Sequence, residues 1–218
     1  MVKKRILETE SGIQGELNVQ MYDTMQRRLK DKGWIATDQI IKAGINNGIV
    51  LEIGPGPGYL GLEWLNKTTG TRLNAIEISP DMIEIANKNA KGYNLSDRAT
   101  YITGDAQSLP FEDNYFDAVF ANGSLHEWSN PEKIFTEIYR VLKKEGKFFI
   151  TDFRRDLSFL IRWFLYLAAK PKEIRPGLIT SLNASYIKDE IKTIIKKSDF
   201  KDFSIKTNPM GLVITGKK

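Results

Sequence analysis

Three kinds of residue in this chain could do chemistry together. Gly54-Pro55-Gly56-Pro57-Gly58 follows directly on the apolar stretch Ile49–Ile53. Glycine there permits positive φ in a tight strand-to-helix turn and lets the backbone approach a ligand with no Cβ in the way. Gly56-Pro57-Gly58-Tyr59-Leu60-Gly61 also satisfies G-x-G-x-x-G, so the turn alone fits a dinucleotide as well. It is not a phosphate loop, because no Gly-Lys-Ser/Thr follows. Glu77, near the end of the next apolar stretch, is placed to accept from two ribose hydroxyls, a role shared by more than one adenosine-bearing cofactor. Glu52 lies inside the first stretch, where a buried carboxylate needs a partner: an amide of the glycine turn or a ligand ammonium. For proton chemistry the candidates are His126, Glu127, Asp152 and Asp156. His126 is the expected base, since its ordinary pKa lies near neutrality.

The composition narrows what these residues can be used for. The chain has 218 residues, 41% apolar and 27% charged, which suits one folded globular domain. It has no cysteine and a single histidine. Disulfides, thiolate zinc sites and a cysteine nucleophile are thereby excluded; a metal site would need mainly carboxylates, and none is expected. The net charge of +5 is spread along the chain and reads as a solvated surface, ahead of contact with RNA or a membrane surface. No DNA partner is expected, and the chain should be a monomer or homodimer. No apolar signal-peptide core follows Met1–Arg5 and no apolar run approaches the ~20 residues of a spanning helix, so a cytoplasmic location is expected.

From Ile49 onward, strand and helix signals alternate, as in a parallel sheet covered by helices. Strands are predicted at Ile49–Ile53, Leu73–Ile78, Thr100–Thr103, Phe116–Ala121 and Lys147–Asp152. A helix follows the glycine turn to about Asn66, and Ser79-Pro80 and Asn130-Pro131 cap two more. Gly92 and Gly146 are the expected stops of those two helices. Ile187, Ile191, Ile194 and Ile195 mark a further amphipathic helix. Phe203–Thr207 and Leu212–Thr215 are joined by four residues only, too few for a parallel crossover, so the last pair is antiparallel.

Downstream residues separate the readings of the glycine turn. Val50 to Gly58, Glu77-Ile78-Ser79-Pro80-Asp81-Met82, Gly104-Asp105-Ala106…Leu109-Pro110-Phe111 and Phe116-Asp117 to His126 follow one another at a set spacing. In these four motifs the sequence resembles the class I S-adenosylmethionine-dependent methyltransferases, especially the ubiquinone and menaquinone biosynthesis methyltransferases. The resemblance covers roughly residues 49–152. It implies a Rossmann-like, three-layer α/β fold with a mainly parallel seven-stranded sheet and a C-terminal antiparallel hairpin. It also implies a cofactor set of Glu52, Gly54, Pro55, Gly56, Gly58, Glu77, Ile78, Met82, Gly104, Asp105, Ala106 and Asn122 around S-adenosyl-L-methionine, with S-adenosyl-L-homocysteine as product. Within that set Glu77 would take the ribose, Ile78 and Met82 would border the adenine, and Asp105 would accept from its amino group.

The organisation expected is one methyltransferase domain: a helical N-terminal cap (1–48), a cofactor core (49–152), a substrate-cap insertion (153–185) and a C-terminal helix with hairpin (186–218). Tyr22, Met25 and Trp34 of the cap are expected to help close the cofactor site. Leu157–Ala169 is strongly apolar and aromatic amid Arg154, Arg155, Arg162, Lys170 and Lys172. It suits a substrate pocket, a helix packed on the domain, a dimer contact or a membrane-surface helix. The function expected is methyl transfer by in-line displacement to a small or lipophilic acceptor. A non-catalytic S-adenosylmethionine-binding protein and an RNA or protein methyltransferase stay open as alternatives, although Asn122-Gly123-Ser124-Leu125 stands where an Asn/Asp-Pro-Pro-Tyr motif would sit.

Overall fold

The computed structural model describes residues 4–8 and 13–218. Seven strands form one sheet: β1 (Ile49–Ile53), β2 (Arg72–Glu77), β3 (Ala99–Thr103), β4 (Phe116–Asn122), β5 (Leu142–Phe153), β6 (Asp202–Thr207) and β7 (Gly211–Lys217). Their spatial order is β3-β2-β1-β4-β5-β7-β6. The first five run parallel, while β7 lies antiparallel between β5 and β6. The chain thus leaves β1 toward β2 on one side and returns at β4 on the other. That reversal opens a crevice at the carboxyl ends of β1 and β4, the place where open α/β sheets bind ligands.

Adjacent residues of the central strands face opposite layers, as strand geometry requires. Leu51, Val119 and Phe148 face α5 (Pro131–Val141) and α8 (Lys188–Lys196), in one core with Phe135, Ile138, Ile191 and Phe200. Their neighbours Val50, Phe120 and Phe149 face α2 (Thr37–Lys42), α3 (Tyr59–Asn66) and α4 (Pro80–Gly92), in a second core with Ile40, Trp64 and Ala86. Trp64 is fully buried and satisfies its indole N–H on the Ile45 carbonyl at 2.8 Å, so its burial carries no unpaired donor. Burying each such side chain is worth roughly 1.5–3 kcal/mol. The remaining helices are α1 (Glu16–Asp31), α6 (Phe159–Ala168) and α7 (Arg175–Ala184). Among the described residues no helix is long and apolar enough to cross a membrane.

The capping residues do what their types predict. Ser79 accepts from the Met82 amide and Asn130 from the Lys133 amide, each with proline beginning the helix. The stops differ from expectation. Helix α4 runs through Gly92, and the left-handed residue is Asn94 (φ 56°), a type that tolerates that conformation. Helix α5 ends at Val141 rather than Gly146, and β5 begins at once. Leu142 is buried opposite Phe116, Lys143 bonds Asp117 at 2.7 Å, and a register shift before the Ala118–Lys147 pair absorbs the extra residues. Asp117 also accepts from the Ile49 amide at 2.8 Å, which fixes it as a structural acceptor at the start of β4.

Candidate active site

The carboxyl ends of β1, β2 and β3 are tied together beyond their last pairs. Gly54 N–H donates to the Ile76 carbonyl and Gly104 N–H to the Glu77 carbonyl, both at 2.9 Å. Gly54 has φ 68°, and a Cβ there would come within 2.6 Å of Ser124 Cβ on the neighbouring loop. The position therefore demands glycine twice over, by conformation and by space. Gly61, one turn into α3, has no such φ; a Cβ there would overlap the Glu52 carboxylate and Leu73, so it is glycine for helix-on-sheet packing.

A cleft of about 140 Å³ lies over these strand ends, walled by Ile53, Gly54, Glu77, Ile78, Gly104, Asp105, Ala106 and the Ser124–Ser129 loop. Glu77 is its buried anion. One carboxylate oxygen accepts from Gly56 N–H and the other from Ser79 N–H, both at 3.1 Å. Burial raises the Glu77 pKa, and these amides together with Ile78 N–H oppose the rise. Asp105 is exposed and accepts from the Gln107 amide at 2.8 Å and its side chain at 3.0 Å, leaving lone pairs directed outward. Ile78 is 39% exposed, an apolar wall left unburied.

On the other side of Gly54 lies a smaller hollow, walled by Tyr22, Gln26, Glu52, Pro55, Pro57, Tyr59, Leu60 and Asn122. Glu52 is 2% exposed, and its Oε2 has no hydrogen-bond partner. Burial, added to by the Glu77 charge and eased by Gly61 N–H, pushes its pKa up to about 8. Helix α1 closes this hollow. Tyr59 Oη donates to buried Asp23, Arg27 bonds both residues, and Asn89 Nδ2 bridges Asp23 to the Pro57 carbonyl of the glycine turn. Tyr22 is thereby set over Gly56, with its hydroxyl accepting from Gln26 at 2.9 Å.

His126 sits behind the cleft wall, 4% exposed. Its Nδ1 lies 2.9 Å from both Asp152 oxygens, its own amide donates to Asp152 at 2.7 Å, and its Nε2 faces Glu8 at 3.4 Å and Glu127 at 3.9 Å. Burial alone would lower its pKa, but these carboxylates, Asp152 foremost, raise it to about 9. At neutral pH the ring is therefore a cation with both nitrogens protonated. Glu8, His126 and Glu127 bring one ligand atom each within 4.8 Å of one another. Glu127 lines the cleft, and burial, only partly offset by His126, raises its pKa to about 7.

Of the residues expected from the sequence, Gly54, Glu77, Ile78, Gly104, Asp105 and Ala106 come together on one side and Glu52, Pro55 and Asn122 on the other. Gly56 joins them through its bond to Glu77. Met82 does not line the cleft: it is 2% exposed beneath it. Gly58 faces Tyr101 and Ala86 instead of the cleft. Trp34 is 65% exposed beneath Lys32 and takes no part in closing the site, whereas Tyr22 does. Sequence reasoning missed Ser124, Trp128 and Ser129, for which the only local signal is the left-handed Gly123 that turns the loop back over the cleft.

The fit to S-adenosylmethionine is testable on these residues alone. Glu52, a buried carboxyl on the wall of the smaller hollow, suits an ammonium, buried Glu77 a diol, and the Ile78–Ala106 slot with Asp105 a flat, neutral ring bearing an amino group. An ammonium, a ribose and an adenine in that order are what the ligand carries. Strand order, antiparallel β7 and this cleft at the β1/β4 reversal define the class I S-adenosylmethionine-dependent methyltransferase fold. Residues 51–150, just under half of the chain, match the family described as a methyltransferase domain. A sterol 4-C-methyltransferase of Caenorhabditis elegans is 38% identical over 102 residues, 47% of this chain and 30% of that one. A ubiquinone/menaquinone biosynthesis C-methyltransferase of Blochmanniella pennsylvanica is 33% identical over 106 residues, 48% of this chain and 42% of that one. The chain thus spans less than half the length of these relatives. A solved structure from Methanococcus maripaludis, described as an S-adenosyl-L-methionine-dependent methyltransferase, superposes with TM-score 0.74 at 27% identity, over 95% of this chain and 97% of that one.

Proposed function

We propose that the protein transfers a methyl group from S-adenosylmethionine to a small, lipophilic acceptor. The observation that carries this reading is the pairing of two unlike carboxylates across Gly54. Glu77 has both oxygens held by backbone N–H groups, and Glu52 is left with a bare oxygen. Glu77 would hold the ribose, Ile78, Ala106 and Asp105 the adenine, and Glu52 with Asn122 the amino-acid end. The bound cofactor supplies a methyl carbon already activated by its sulfonium. What remains for the chain is to align an acceptor in line with that bond and exclude water. Relatives named for sterol and quinone methylation support an apolar acceptor.

Where the acceptor must lose a proton, we assign that work to Glu127 rather than His126. Glu127 lines the cleft and burial raises its pKa to about 7, whereas His126 is buried behind it and held by Asp152. His126 would instead hold the Leu125–Glu127 turn against Asp152, a positioning role. Calorimetric titration with S-adenosylmethionine and S-adenosylhomocysteine, followed by radiolabelled methyl transfer to a panel of sterols, quinones and small amines, tests the reading. Binding with turnover on an apolar acceptor is expected; absence of binding at millimolar ligand overturns it. Binding without turnover on any acceptor would favour a cofactor-holding protein.

A further inference from the structure

Helix α6 turns its apolar side outward. Phe159, Leu160, Trp163, Phe164 and Leu167 recur at the spacing of one helical face, and they are 78%, 71%, 56%, 57% and 44% exposed. None of the ten residues of the helix is buried. Its inner side, Ile161, Arg162 and Leu165, is only half-buried. Arg162 anchors that side by donating to Asn183 Oδ1 at 2.8 Å. A helix of this kind in water exposes apolar surface with no return unless something covers it.

The surroundings of this face are basic. No acidic residue occurs between Asp156 and Glu173, while Arg162, Lys170 and Lys172 fall in that interval. Lys170 and Lys172 are exposed and make no ion pair among the described residues. Arg175 sits over the Tyr166 ring at 4.8 Å and reaches back to the Leu167 carbonyl, at the edge of the same face. The N-terminal strap adds to it. Ile6 and Leu7 are 61% and 66% exposed, Lys4 is exposed beside them, and Ile6 N–H donates to the carbonyl of Asn183, the residue that Arg162 also holds. Two exposed apolar stretches from distant parts of the chain thus converge on one residue, each accompanied by lysine or arginine.

We propose that α6 and the residues 4–7 strap form a docking face for an anionic lipid bilayer, with α6 lying in the headgroup region parallel to the surface. An aromatic and aliphatic face flanked by lysine and arginine is the composition that binds such interfaces. A ten-residue helix is far too short to span one. A second copy of this chain is the poorer occupant. Symmetric pairing of α6 faces would bring Lys170 and Lys172 against their own kind with no acidic side chain between Asp156 and Glu173 to meet them. The docked face is linked to the cleft through α7, on which α6 packs. Helix α7 packs on the Leu125–Glu127 turn, and Arg5 of the strap donates to the His126 carbonyl at 2.8 Å. The proposal stands apart from the acceptor reading, since it needs only this surface.

Flotation of the full chain with vesicles of phosphatidylcholine, alone or mixed with phosphatidylglycerol, tests it, with Trp fluorescence and sedimentation velocity alongside. Binding to the phosphatidylglycerol vesicles, with a blue shift and release at high salt, is expected. A Trp163→Glu/Phe164→Glu variant should lose more than about 10-fold in partitioning, because its substitutions remove two exposed aromatic anchors from the docking face. A Lys170→Gln/Lys172→Gln variant should lose about 25-fold, at roughly fivefold per charge removed. Both variants replace exposed side chains, so unchanged melting and unchanged S-adenosylmethionine affinity will verify that they fold. Failure of the parent protein to bind phosphatidylglycerol vesicles, or equal binding by the variants, overturns the proposal. So does a dimer of the parent that the Trp163→Glu/Phe164→Glu change dissociates without any vesicle binding.

Discussion

The two walls of the cleft are held by different means. On the Glu77 side, the functional carboxylate rests on backbone amides of Gly56 and Ser79, and Gly54 and Gly104 lock the strand ends together. Every partner there lies close to a strand end, so the wall is a direct product of the sheet. On the His126 side, one imidazole is surrounded by Asp152 from β5, Glu8 just after the N-terminal strap and Glu127 from its own turn. Arg5 joins by stacking on Tyr186 at 3.9 Å and bonding the His126 carbonyl. That wall is assembled from side chains far apart in the sequence, and its geometry depends on their charge states. The first wall should fail by substitution of its one carboxylate; the second should respond to substitution and to pH.

The sharpest way to break this contrast is Glu77→Ala. It removes the ribose acceptor and the anchor of two turn amides, and S-adenosylmethionine affinity should fall by about 100-fold or more in calorimetry. A loss below tenfold would mean that the wall does not rest on this carboxylate. On the other side, His126→Ala leaves Asp152 buried without its cation and should cost on the order of 3 kcal/mol in denaturant unfolding. Cofactor affinity should change far less, and the reverse pattern would exchange the roles of the two walls.

The acidity of the second wall gives a signed prediction. The His126 pKa is raised from 6.5 to about 9 in the fold, so its stabilisation is complete below about pH 6.5 and lost as pH climbs through 9. Glu127 and Glu52, raised to about 7 and about 8, also hold protons longer in the native state, so they too favour the fold less as pH rises from 4.5 through those values. The melting temperature should therefore decline steadily between pH 6 and 9, and His126→Ala should flatten the upper part of that decline. A flat profile for the parent protein would refute the charge arrangement around His126. Glu52 supplies a smaller, cleaner signal. If a ligand ammonium lands beside its carboxyl, the group ionises and close to one proton is released at pH 7. Calorimetry in two buffers of different ionisation enthalpy reads that proton, and Glu52→Gln should abolish it. The smallest effect separates two apolar neighbours. Met82→Leu, buried off the cleft, should cost under about 1.5 kcal/mol of stability and leave binding unchanged, while Ile78→Ala should weaken binding severalfold with little loss of stability.

The contrast also marks where the sequence could be read. The glycine turn, Glu77 and the Gly104-Asp105-Ala106 turn lie at strand ends that periodicity locates within a residue or two, so their convergence follows once the sheet order is known. The caps at Ser79 and Asn130 are equally local, and both were legible. The early start of β5 was not, because Lys143-Lys144-Glu145 carries no apolar period; only its pairing with Phe116 and Asp117 makes it strand. His126 was legible as a titratable group but not as a trapped cation, since nothing near it in sequence announces Glu8 or Asp152. Tyr22 was legible and Trp34 misleading for one reason: which aromatic of the cap faces inward is decided by the Asp23–Tyr59–Asn89 bonds, made between separate helices.

The placement of β7 between β5 and β6 has a consequence for how the chain is made. During synthesis β5 emerges early, yet its partner on that edge comes last, after α6, α7, α8 and β6 have been translated. Until Gly211–Lys217 arrives, the row of free amides and carbonyls along β5 stands open, with Phe148 and Ile150 beside it. Chains halted before Gly211 should therefore recruit holdase chaperones and aggregate on release, whereas released chains that include Gly211–Lys217 can cover that edge.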